Sequence, residues 1–163
     1  MKVCNHWIPI ALLVLFTMAV VPSVHAAEHD VESVAMAFLD AYAAGNWNKV
    51  QAVLSKRGVH IYGSDVSEFS AGEAGVKAMF DNDQKLWRGG AHFGATSQLT
   101  SVKSGHLATV FFNRVFEVGT QQVIVRFSTV WQLESGAWKL IQSSNVVPTT
   151  GQSAADILAP KAN

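Results

Sequence analysis

The sequence predicts an α+β domain in which three helices come first and a strongly curved, mostly antiparallel sheet follows, the two closing as a cone over an apolar pocket. Up to Trp87, apolar residues recur at spacings of three and four. Beyond Gly90 they recur in long runs with strand character, divided by turns of two or three residues that each hold a glycine. The stretch Gln122 to Val147 shows this best: two long strands folded back on each other at Ser135-Gly136, carrying Arg126, Trp131 and Trp138.

The first helix is expected over Val31 to Gly45, with Val31, Val34, Ala35, Phe38, Leu39 and Tyr42 on one side. Asp30 can cap its start, and Gly45 can close it in the left-handed conformation. A short second helix, Trp47 to Leu54, follows from Asn46 as cap and Trp47, Val50 and Leu54 inward. Val59 to Tyr62 reads as a short strand, Gly63-Ser64-Asp65 as a turn, and Gly72 as a break before a third helix, Glu73 to Trp87, carrying Ala74, Val76, Met79, Phe80 and Leu86. Four strands complete the domain: His92 to Val102, His106 to Val118, Gln121 to Glu134 and Ala137 to Val147. The short turns between them imply antiparallel neighbours.

In the strand from His106 to Val118, Val110, Phe112 and Phe116 share one side, while Leu107, Phe111 and Val115 share the other. One face packs on the helices. The simplest cover for the second is the sheet of another copy, giving a homodimer; turns or the C-terminal tail are the alternative.

Residues 1–26 read as a cleaved secretory signal peptide: Lys2 begins it, Ile8 to Val21 is an apolar run, and Val24-His25-Ala26 offers small residues at a cleavage site. The alternative, an uncleaved anchor, would need about 18 to 20 apolar residues. The domain then occupies 27–150, followed by a flexible tail, 151–163, with one helical turn at Ala154 to Leu158. The expected location is periplasmic or secreted, with no membrane association after cleavage. The whole chain has 12 Lys plus Arg against 12 Asp plus Glu, with no basic run, so nucleic acid is not an expected partner. Its one cysteine, Cys4, lies in the signal segment, which removes disulfide and thiol chemistry from the exported domain.

Three places carry a family resemblance: Tyr42-Ala43-Ala44-Gly45-Asn46-Trp47; Ile61-Tyr62-Gly63-Ser64-Asp65-Val66-Ser67-Glu68 with Gly72 after it; and Arg126-Phe127-Ser128-Thr129 leading to Gly136-Ala137-Trp138-Lys139-Leu140. Over Val31 to Pro148 the chain resembles the SnoaL-like domains of the nuclear-transport-factor-2-like superfamily, related to ketosteroid isomerase. The resemblance implies that cone-shaped fold. It places the isomerases' carboxylate base at or near Gly63, their oxyanion-binding tyrosine near Phe38, and the histidine common on the last strand at Ser144. None of these three residues can do that work. The fold also hosts many chemistries and many domains that only bind.

The candidate catalytic residues are therefore Asp65 and Glu68, two carboxylates three apart in a turn, and His60 beside them. Asp65 can equally serve its own turn, Glu68 can stand in water, and a lone His at a strand is usually a satisfied surface residue. The candidate ligand-binding residues are Tyr42, Tyr62, Trp87, Phe112, Arg126 and Trp131. Arg126 could take an anionic oxygen in its planar fork, or pair structurally with Glu117 or Glu134; Arg114 carries the same ambiguity. The histidines show no metal-ligand spacing, and no phosphate or dinucleotide fingerprint occurs, so neither metal nor cofactor is expected. The expected function is binding of a small apolar or amphipathic molecule in the cone. The alternatives are a cofactor-independent lyase or isomerase using a carboxylate or His in that pocket, and an assembly module using the exposed sheet face.

Overall fold

A computed structural model describes residues 30–149 and 151. The expected signal peptide and the expected helical turn in the tail lie outside the described residues. Helices α1 (Val31–Ala43), α2 (Trp47–Val53) and α3 (Gly72–Arg88) pack on six strands: β1 (His60–Tyr62), β2 (Phe69–Ala71), β3 (His92–Ser104), β4 (Leu107–Val118), β5 (Gln121–Glu134) and β6 (Ala137–Val146). The strand order is β2-β1-β6-β5-β4-β3. Among the strands of the described residues, β1 and β6 run parallel and the other neighbours antiparallel. The α+β class and the order of elements agree with the sequence reading. The strand absent from it is β2, three residues long, which the turn residues between Gly63 and Gly72 conceal.

Local chemistry explains the boundaries. Gly45 has φ +70° and ends α1, as a residue without Cβ can at no steric cost. Asn46 accepts a hydrogen bond from Lys49 N at 3.2 Å and so caps α2. Asp30 occupies the cap position of α1 but makes no side-chain bond to a helix N–H; it accepts from the Ser33 hydroxyl at 3.5 Å. At the last hairpin, Ser135 and Gly136 have φ of 49° and 82°. Two successive positive values give the reverse turn whose twist matches that of paired strands.

The inner sheet face carries Val110 and Phe112 from β4, Phe127, Thr129 and Trp131 from β5, and Trp138 and Leu140 from β6, all buried. Phe112 and Phe127 stack with centroids 5.0 Å apart. Burying each such large side chain stabilises the domain by roughly 1.5–3 kcal/mol. The Trp131 ring is fully buried, and its Nε1 donates to Thr129 Oγ1 at 2.8 Å, which satisfies an otherwise costly polar group.

One irregularity matters for the site. Val130 faces Gln142 and Trp131 faces Leu140, so Ile141 has no partner and β6 carries a bulge. Trp138 and Leu140 point inward before it. After it, the inward residues are Ser143 and Asn145, while Ser144 turns to the outer face. The outer face leaves Leu107, Phe111, Ile124 and Val146 exposed, in keeping with the two-sided apolar pattern of the strands. Leu86 on α3 is also exposed.

Replacing Thr129 by Val keeps shape but strands Trp131 Nε1 without an acceptor. Urea denaturation of Thr129→Val should show a loss of about 1–3 kcal/mol; an unchanged midpoint would mean that the Trp131 bond contributes nothing.

Candidate functional site

The cone opens between the helices and the inner sheet face. On α1, Phe38 and Tyr42 stand one turn apart; on α3, Met79, Asp83 and Trp87 repeat every four residues and so share a face. Ile61, Phe93 and Phe127 add apolar wall, and Ser143 and Asn145 come from β6 beyond the bulge. The cavity measures about 100 Å³, well below the roughly 300–1,000 Å³ typical of pockets for drug-sized ligands. It suits a compact molecule.

Two carboxylates meet this apolar space. Asp83 Oδ2 accepts from the Tyr42 hydroxyl at 2.8 Å, joining α3 to α1. Beside it, the buried Gln84 donates to the Tyr42 carbonyl at 3.0 Å, a second tie between the helices. Desolvation raises the Asp83 carboxyl above its ordinary 3.8, and the charge of Glu68 pushes the same way, against hydrogen bonds from Tyr42 and Asn82. Burial also raises the Tyr42 hydroxyl, with the neighbouring Asp83 charge adding to it. Tyr42 is therefore a donor that keeps its proton.

The second carboxylate is Glu68. Its Oε2 accepts from Asp65 N at 3.1 Å and from Ser64 Oγ at 3.4 Å, and the side chain folds back over Gly63. A Cβ on residue 63 would collide with the Glu68 side chain, including its carboxylate oxygen. The Glu68 carboxylate thus occupies the space that a side chain at position 63 would fill.

The sequence candidates divide between several places. Tyr42, Trp87 and Glu68 line the cone. Asp65 does not: fully exposed, it accepts from Ser67 N at 2.8 Å and Ser67 Oγ at 2.6 Å, bonds that hold the turn and lower its carboxyl below the ordinary value. His60 and Tyr62 flank the inward Ile61 and so face outward, around the exposed Phe69 ring; His60 stacks on it at 6.1 Å and Tyr62 lies 5.0 Å away. Phe112 and Trp131 are core residues, filled in behind the cavity. Arg126 stands exposed on the outer face, because its neighbours Val125 and Phe127 take the inner one. Asp65, His60 and Arg126 therefore do not converge. Arg114 is the buried arginine: its guanidinium donates to Asp40 at 3.1 Å and stacks over Phe93 at 4.9 Å. Glu117 pairs with His92 and Glu134 accepts from Ser55, so neither of the partners expected for Arg126 serves it.

Asp83 and Asn145 were missed in the sequence. A signal for Asp83 existed, since it sits midway between Met79 and Trp87 at four-residue spacing. Asn145 had none, because a bulge leaves no mark in the alternation. Among the described residues, no three or more His, Cys, Asp or Glu side chains gather as a metal site would require. No described helix is long and apolar enough to cross a membrane.

Residues 31–149 match the family model of the SnoaL-like domain. The chain belongs to that family. Solved structures place this SnoaL-like domain in the NTF2-like, cystatin-like fold. An NTF2-like protein of unknown function from Pseudomonas putida superposes with a TM-score of 0.67 at 17% identity, covering 78% of this chain and 90% of that one. An NTF2-like protein with a cystatin-like fold from Novosphingobium aromaticivorans gives 0.61 at 14% identity, covering 78% and 84%. The CaMKII hub of S. rosetta gives 0.60 at 20% identity, covering 72% and 94%. At such identities the likeness shows the fold alone. No curated protein matches the sequence.

The raised Asp83 carboxyl makes a signed prediction. A carboxyl whose native value lies above its unfolded value contributes stability that is fully present below 3.8 and lost as pH rises through the native value. Asp83→Asn removes this titration, so melting temperatures taken from about pH 3 to pH 7 should shift steadily in favour of the variant relative to wild type. A difference that stays constant, or moves the other way, would contradict a desolvated Asp83.

Proposed function

We propose that this SnoaL-like domain binds a compact, largely apolar molecule that carries a hydroxyl or similar donor group, held in the cone. The observation that carries this is the Glu68 carboxylate folded over Gly63 into the same small apolar space as the Tyr42–Asp83 pair. Aromatic walls take up the apolar body, and Glu68, Asp83 and Asn145 offer acceptors for the donor.

The same observation favours a second reading, cofactor-independent proton transfer of the lyase or isomerase type. Two carboxylates in unequal surroundings can divide base and acid work, Glu68 at the turn and Asp83 desolvated against Tyr42. In this reading Glu68 removes a proton next to a carbonyl, and Asp83, in its protonated form and held by Tyr42, donates its own proton toward the oxygen on which charge develops.

One probe separates the two readings. 2-Hydroxycyclohexanone is compact and carries both a donor hydroxyl and exchangeable hydrogens beside its carbonyl. Saturable NMR shifts at the amides of Gly63, Phe38 and Asn145 are expected. Glu68→Gln should weaken binding about tenfold or more, since a hydrogen bond to a charged group contributes roughly 1.5–3 kcal/mol. Absence of saturable shifts would reject the binding site. For catalysis, deuterium should enter the probe faster than in buffer, and Glu68→Gln should slow it by roughly 10²–10⁴; exchange at the buffer rate would leave binding alone.

Export and self-association complete the proposal. The apolar run and small-residue site within 1–26 support removal of that segment on export. The exposed Leu107, Phe111, Ile124 and Val146 of the outer face support pairing of two copies across it. Protein recovered from the periplasmic fraction of its host should begin at Ala27 and sediment as a dimer. A start at Met1 or a monomer at micromolar concentration would remove the corresponding part.

A further inference from the structure

We infer a second binding site, on the opposite side of the sheet from the cone, that takes the carboxylate of a small organic acid through Arg126. A recess of about 320 Å³ lies in the outer face there. Its polar residues come from paired positions of three strands: Asn113 stands directly across from Arg126 on β4, and Ser128 on β5 faces Ser144 on β6. Phe111, across from Ser128, and Val146, across from Arg126, are 42% and 51% exposed and give the recess its apolar sides.

Arg126 is the cation of this recess, and the described residues leave it without an anion. The four ion pairs among them join Lys56 to Glu73, Lys77 to Asp81, His92 to Glu117 and Arg114 to Asp40. Among the described residues, no hydrogen bond or ring contact engages the Arg126 guanidinium either. A planar fork of five donors matches a carboxylate in two parallel hydrogen bonds, and the hydroxyls of Ser128 and Ser144 stand on the strand positions next to it.

The edge of the recess is also shaped. Strand β3 loses register between Ser97 and Thr100, and Gln98 within that break has φ 54°, a left-handed conformation that residues with a Cβ seldom adopt. The break lets Gln98 Oε1 accept from Asn113 Nδ2 at 2.7 Å, which fixes the amide that faces Arg126. With an arginine fork at the centre and apolar walls at the sides, the fitting ligand is a compact monocarboxylate with an apolar body, such as an aromatic or short branched acid.

This site does not depend on the cone. It does bear on pairing, because two copies closing over an Arg126 that lacks an anion would bury an unpaired charge. A bound carboxylate removes that penalty, so occupancy should favour the pair rather than oppose it.

The test is a titration of the protein with benzoate, and separately with benzyl alcohol, followed by NMR at Asn113, Ser128 and Ser144 and by sedimentation velocity. Benzoate should shift these three signals saturably, and benzyl alcohol should not. Arg126→Gln should weaken benzoate at least tenfold with an unchanged melting temperature, since the residue is exposed; Arg126→Lys should recover part of the affinity, keeping the charge without the fork. Equal affinity in Arg126→Gln, equal binding of benzyl alcohol, or shifts confined to Tyr42, Glu68 and Gly63 would overturn the proposal. So would benzoate shifts that accompany dissociation of a dimer, because the anion at Arg126 would then belong to the second copy. The last two outcomes leave the cone reading intact, so the two sites fail separately.

Discussion

Opposite Val130 and Trp131, strand β6 carries one residue more than its partner, and from Ile141 onward its side chains change faces. Were Ile141 paired in regular alternation instead, Trp138 and Leu140 would be followed inward by Gln142 and Ser144 rather than by Ser143 and Asn145. The parallel partner β1 takes its orientation from the same place: Ile61 stands beside Ser143 and turns inward with it, while His60 and Tyr62 turn outward with Gln142 and Ser144. The bulge thus decides which polar groups reach the cone. The turn after β1 then brings Gly63 and Glu68 to its rim.

Across the cavity, α1 and α3 are held by polar ties inside an otherwise apolar contact. Tyr42 joins Asp83, and Gln84 reaches the Tyr42 carbonyl. Gly45 belongs to this arrangement twice: it supplies the left-handed backbone that ends α1, and a Cβ there would meet Gln84 Oε1 at 2.7 Å. A desolvated carboxylate would weaken such a joint if nothing bonded it. The Tyr42 hydroxyl offsets part of that cost, and what remains is a carboxyl group easier to protonate than usual, next to a cavity. Stability yields a little at the position where a ligand gains a polar contact.

The architecture was legible because it rests on periodicity and punctuation. Spacings of three and four, then two, with Gly45, Gly72 and the turn glycines between them, gave nearly every element its place. The site was legible only in part. Residue type and position point to Glu68, Tyr42 and Trp87, but the two-residue period does not say which face of a three-residue strand is inner, and the structure turns His60 and Tyr62 outward. Arg126 fell to the same ambiguity, since a strand apolar on both faces offers no sequence mark of which one meets the helices. The resemblance places a histidine position at Ser144, and the structure turns Ser144 to the outer face, because a bulge shifts side-chain direction without altering composition. Gly63 was read as a missing base, whereas its missing side chain is what admits the Glu68 carboxylate.

The strands that line the cone are the ones that shape the outer recess. Phe127 faces one and Arg126 the other; Ser143 and Asn145 alternate with Ser144 and Val146. A slip of β6 by one residue would empty both sites at once, exchanging an amide and a hydroxyl for a hydroxyl and a valine on the cone side. Burial protects against this. Trp131 and Leu140 on one side of the bulge, and Phe127 and Phe112 beyond it, reach the core only in the observed register. Their combined burial holds the strands in that pairing far more firmly than any polar contact in either site could. The two sites therefore share one rigid support while exposing different chemistry, carboxylates on one side and a guanidinium on the other.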